Sequence, residues 1–180
     1  MRNIILILSL AFVGTACLDS EKKAHIARID QMSAELDSVN KIYTALPLDS
    51  FSIIREIAQN NESYIKQYYV DDTIDVDFAR AMNRYKAIRK GSGFISQKRN
   101  FLDTVFTFQI SQLDKLKTDI SNGVGKREKY GSYIDSEEVN INLIRSSFND
   151  FQERFNHLRN EYYELNPIVE DMVEKLKKGE

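Results

Sequence analysis

From Ile134 to Leu176, apolar and aromatic residues recur at alternating steps of three and four. Ile134, Ile141, Phe148, Phe155, Tyr162, Val169 and Leu176 form one seam, and Glu137, Ile144, Phe151, Leu158, Leu165 and Met172 form the other. Glu137 is the one charged member. A period of 3.5 held over so many turns leaves a chain few options. It must be a helix packed lengthwise on other helices, with left-handed supercoiling. Pro167 falls inside the run without shifting its phase, which predicts a kink and not a stop.

The same habit extends upstream. Phe78, Tyr85, Ser92, Arg99, Phe106, Leu113 and Ile120 alternate with Ala81, Ile88, Ile95, Leu102, Gln109 and Leu116. The register survives Gly91-Ser92-Gly93, so the pattern predicts one long helix from near Val76 to Asn122-Gly123, kinked or locally broken at the glycines. Phe94, Phe101, Val105 and Phe108 lie beside this seam and predict a broad buried face. Nearer the N-terminus, Ile29, Met32, Leu36, Val39, Tyr43 and Leu46 make a third seam, widened by Ile26 and Ile42. That helix must stop at Leu46-Pro47. Asp49 or Ser50 then caps another helix, which carries Phe51, Ile54, Ile57, Ala58, Tyr64, Ile65 and Tyr68.

Residues 21–70, 76–121 and 132–177 are segments of similar length, each roughly 70 Å if wholly helical. They predict an all-α fold, an elongated antiparallel up-down-up bundle of three long kinked helical segments. Pro47, Ser92 and Pro167 fall at similar levels and predict one bend zone. The alternative is a four-helix bundle in which the chain turns back at Pro47. With 42% apolar and 29% charged residues and only 7 Gly and 2 Pro, the composition suits an ordered helical domain.

The N-terminus carries a different message. Arg2 precedes the apolar run Ile4–Val13, and the small residues Gly14, Thr15 and Ala16 follow. This is the plan of a secretory signal, too short to span a bilayer. Directly after it stands Cys17, the only cysteine. Thr15-Ala16-Cys17 resembles the lipobox of bacterial lipoproteins, although Gly14 occupies the position where leucine is usual. The resemblance implies cleavage before Cys17, a thioether-linked diacylglyceryl group on its sulfur and an N-acyl chain such as palmitate. Residues 1–16 would then be signal peptide, 17–25 a lipidated tether and 26–178 a single helical bundle domain, similar to the coiled-coil-like mature regions of small helical lipoproteins. Leu18 in place of Asp implies the outer membrane, at its periplasmic face or the cell surface.

The rest of the chain offers little chemistry. Net charge is -2, without the basic surplus that nucleic acid requires. No second long apolar run exists, so membrane contact is expected through the lipid on Cys17. His25 and His157 have no second His or Cys at ligand spacing, and no metal or cofactor is expected. The acidic stretch Asp71–Asp77 lacks the Gly and Glu of a calcium loop, having Val76 and Met82 there, and reads as a turn whose last Asp residues cap the next helix. No nucleophile has acid–base partners, so no catalysis is expected. Glu137, near a helix start, reads as complementing the helix dipole. The expected function is a lipid-anchored helical spacer or protein-interaction module in the cell envelope. Its partner would dock near Tyr68–Asp77, and the 122–132 linker would lie back near the lipid. The alternative is a protein that binds a small ligand or envelope component in a pocket at the Gly91–Gly93 bend.

Overall fold

The computed structural model describes the backbone of residues 2–70 and 75–179, and the side chains of residues 20–70 and 75–179. Its elements are α1 (Arg2–Thr44), α2 (Ser50–Tyr68), α3 (Val76–Asn122), a 3-10 turn (Arg127–Lys129) and α4 (Tyr130–Lys178). The protein is an all-α bundle, with no strand among the described residues. Helix α1 already includes residues 20–25, where a tether was expected; no Gly or Pro occurs between Thr15 and Leu46 to interrupt it.

The chain forms two compact units, Met1–Ile42 with Asp103–Ser146, and Tyr43–Leu102 with Ser147–Glu180. In the first, α1 runs antiparallel to the C-terminal half of α3 and parallel to the N-terminal half of α4. Lys22 Nζ donates to the Ser121 carbonyl at 2.5 Å, and Lys117 meets Asp30 at 2.6 Å. Arg28 reaches Asp135 and Glu138, and Arg145 reaches Glu35. Ile29, Met32 and Leu36 of α1, Phe106, Leu113 and Ile120 of α3 and Ile134, Ile141 and Ile144 of α4 are buried and make up its core.

The second unit repeats the up-down-up order with α2, the N-terminal half of α3 and the C-terminal half of α4. Asp49 pairs with Arg99 at 2.8 Å and Glu62 with Arg89 at 2.7 Å, which fixes α2 antiparallel to α3. Phe51 meets Phe155 at 5.1 Å, and the Lys177 ammonium lies 5.5 Å from the Tyr64 ring, so α2 and α4 run parallel. Each unit is thus a three-helix packing, with α1 as its first helix in one and α2 in the other.

The seams read from the sequence are the buried faces, with three corrections. Phe101 is 47% and Phe108 59% exposed, and Ile42 is 48% exposed. A helix held by only two neighbours buries a narrow stripe, so residues flanking the seam return to solvent. Past Pro167 the buried position is Val173, at 6% exposure, and Met172 is half-buried. Pro167 lacks the N–H that would bond one turn back, and beyond it the buried residues step by four, from Leu165 to Val169 to Val173. The third correction concerns the polar seam members. Gln109, 2% exposed, donates from Nε2 to Glu137 Oε2 at 2.5 Å. Glu137 therefore answers a buried amide on α3, which ties the register of α4 to that of α3.

Helix ends follow local chemistry. Asp75 Oδ1 accepts from the Asp77 and Phe78 amides, each at 3.0 Å, and so caps α3 as expected of the acidic stretch; residues 71–74 lie outside the described residues. Asp49 occupies the position before α2 but makes no side-chain cap bond, its carboxylate being turned to Arg99. Helix α3 closes with Gly123 at φ 68°, the Gly123 amide donating to Ile120 O and the Val124 amide to Asp119 O. That left-handed closure suits glycine alone at low strain.

Candidate functional site

Cys17, the residue on which the lipid reading rests, lies outside the residues whose side chains are described. The chain just after it is described, and it builds one end of the first unit. Here the first described turns of α1 meet the C-terminus of α3 and the linker 122–130. Lys22 takes the Ser121 carbonyl, one of those a helix end leaves without a partner. The His25 ring stands edge-on to Tyr130 at 6.3 Å, and Tyr130 donates its hydroxyl to Val124 O at 2.8 Å. Glu21, Lys22, His25, Arg127 and Tyr130 line a small hollow of about 250 Å³. The linker thus lies beside the turn of α1 that contains Lys22 and His25.

At Gly91–Gly93, where the alternative reading places a pocket, α3 runs on as helix. A Cβ on Gly91 would meet Leu158 Cδ1 at 2.7 Å. The glycine lets α3 and α4 approach, and Leu158 fills the space its missing side chain leaves. What remains is an open groove of about 710 Å³ lined by Ala87, Lys90, Gly91, Phe94, Arg154 and His157, among others. The Arg154 guanidinium covers the Phe94 ring at 4.6 Å. Gly91→Val is expected to lower stability by about 1–3 kcal/mol through overpacking. Most of that loss should vanish in a Leu158→Ala background, read by urea unfolding of the single and double variants.

Near Tyr68–Asp77, α2 and α3 enclose a groove of about 620 Å³ with Ile65, Tyr69, Val70, Phe78, Ala79 and Met82 among its lining residues. The Tyr69 and Phe78 rings meet at 5.4 Å, and Val70 is 90% exposed. Tyr68 and Tyr163 are exposed, Tyr64 and Tyr69 half-buried and Tyr162 buried. His25 and His157 lie in different units, and His157 is exposed on α4.

The polar site that sequence reasoning missed is buried. Tyr85, fully enclosed, donates its hydroxyl to Asn166 Oδ1 at 2.6 Å and accepts from Asn61 Nδ2 at 3.2 Å. Burial is the main cause that pushes the Tyr85 phenol up to about 12. On the surface above it, Arg84 forks onto Glu161 at 2.6 and 2.9 Å and holds that carboxyl below the usual carboxylate range. Among the described residues, no buried side-chain nitrogen or oxygen lacks a hydrogen-bond partner. Also among the described residues, no helix is long and apolar enough to cross a membrane. In comparisons with known proteins, the chain matches no family model, no curated protein and no solved structure.

Proposed function

We propose that this chain is a lipid-anchored protein of the bacterial envelope, held at the outer membrane by acyl groups on Cys17, whose helical bundle acts as a spacer or protein-interaction module. One observation carries the reading: the chain's only cysteine directly follows Arg2, a short apolar run and Thr15-Ala16. Three acyl chains far exceed the marginal membrane affinity of one. A bundle whose buried side-chain polar atoms all have partners among the described residues suits a spacer or docking role. A second reading, binding of a small apolar ligand, is favoured by the groove between α2 and α3, whose volume of about 620 Å³ falls within the usual range for ligand pockets.

Radiolabelled palmitate fed to cells making the protein should label the wild type and leave Cys17→Ala unlabelled. The variant should also leave the membrane fraction. Equal label in both would overturn the anchor. Cross-linking in the native envelope, read by mass spectrometry, should recover a defined protein partner through residues of α2 and α3 near Tyr68.

A further inference from the structure

We propose that the end of the first unit formed by the 122–130 linker is a second contact with the membrane, docking on the anionic phospholipid headgroups around the acyl anchor. This rests on the lipid-anchor reading. The linker is fastened to the turn of α1 that contains Lys22 and His25, through the Lys22–Ser121 bond and the His25–Tyr130 contact. From Cys17 to Lys22 a helix rises roughly 8 Å. Acyl chains on Cys17 would therefore hold the linker at headgroup depth.

The linker's own chemistry fits that place. Lys126, Arg127 and Lys129 fall within four residues, with Glu128 the only acid between them, and all are exposed. Among the described residues these three cations form no ion pair, whereas Arg28, Lys117 and Arg145 of the same unit each meet a carboxylate on a neighbouring helix. Val124, 54% exposed, stands between Gly123 and Gly125, both with positive φ. An exposed valine beside unpaired cations can enter the interface while the cations meet phosphates. Glu21 and Asp119 lie at the same end and reduce the positive surplus, so the attraction is modest. Each cation near an anionic leaflet favours contact by roughly fivefold. That is too little to hold a protein at a membrane alone. Once the anchor makes the encounter intramolecular, it is enough to set orientation.

The test uses the protein purified from its envelope and reconstituted into vesicles of phosphatidylcholine, with or without about one third phosphatidylglycerol. The mass of the N-terminal peptide is measured on the same sample. Amine acetylation of Lys126 and Lys129 should slow several-fold on the anionic vesicles relative to the neutral ones, and high salt should restore it. In Lys126→Glu/Arg127→Glu, which alters only exposed linker positions, the rate at Lys129 should be the same on both vesicles. Equal rates for an acylated wild type would overturn this contact and leave the anchor standing. An unacylated Cys17 would overturn both.

Discussion

Phe151→Ala is expected to lower the free energy of unfolding by about 3–5 kcal/mol, while Phe108→Ala should change it by less than about 0.5 kcal/mol. Both residues are phenylalanines on long helices, and both lie in or beside a heptad seam. Their surroundings separate them. Phe151 is 0% exposed, edge-on to Tyr43 at 5.9 Å and stacked on Phe155 at 6.1 Å. Tyr43 in turn is edge-on to Phe148 at 6.2 Å, and Phe155 meets Phe51 at 5.1 Å. This cluster joins the end of α1, the start of α2 and the middle of α4. Removing Phe151 leaves a ring-sized void among rigid aromatic neighbours that cannot collapse into it, which puts the loss in the upper part of the usual range. Phe108 is 59% exposed and leaves no void. Chemical denaturation followed by circular dichroism measures both. A comparable loss for the two variants would mean that α3 buries a broad face after all.

That contrast also marks how far periodicity could be read. The heptad seams named the buried residues of α3 and α4 nearly one by one, because a strict 3.5 repeat admits few packings. The Gly91-Ser92-Gly93 run illustrates the limit. Phase continuity correctly kept α3 whole, yet a glycine in a helix can open packing or tighten it, and only the position of Leu158 decides between them. Phe101 and Phe108 were misplaced because hydrophobicity says what a residue prefers, not how many neighbouring helices exist to cover it. Gln109 and Glu137 are polar members of their seams, but nothing in a linear pattern states that they face each other. Asn166 was invisible for a related reason. It sits outside the seam, and its burial follows from Tyr85, 81 residues away, needing an acceptor. The Cys17 signal is of a different kind, since a motif read by processing enzymes need not leave any trace in the packing.

Raising the pH from 10 to 12 is expected to cost the wild type about 2 kcal/mol more stability than it costs Tyr85→Phe. In the fold the Tyr85 phenol is enclosed and its ionisation is pushed up to about 12, chiefly by burial, with Tyr162 and Glu170 adding to the rise and the Asn61 amide opposing it. In the unfolded chain it ionises near 10. The neutral phenol therefore stabilises the fold fully below pH 10. Above that, the unfolded state releases its proton first and binds fewer protons than the native state, so stability falls until the folded phenol also ionises near 12. Tyr85→Phe should already lose about 1–3 kcal/mol at neutral pH, because the buried Asn166 Oδ1 no longer receives its hydrogen bond. Its alkaline slope should nonetheless be shallower than that of the wild type. Some slope persists in the variant, since burial also raises Tyr162. Urea midpoints at a series of pH values separate the two effects: the lost hydrogen bond displaces the whole curve, and the lost phenol flattens only its alkaline limb. Parallel curves would show that Tyr85 ionises as freely in the fold as in the unfolded chain, and the enclosed Asn61–Tyr85–Asn166 chain could not then exist as described.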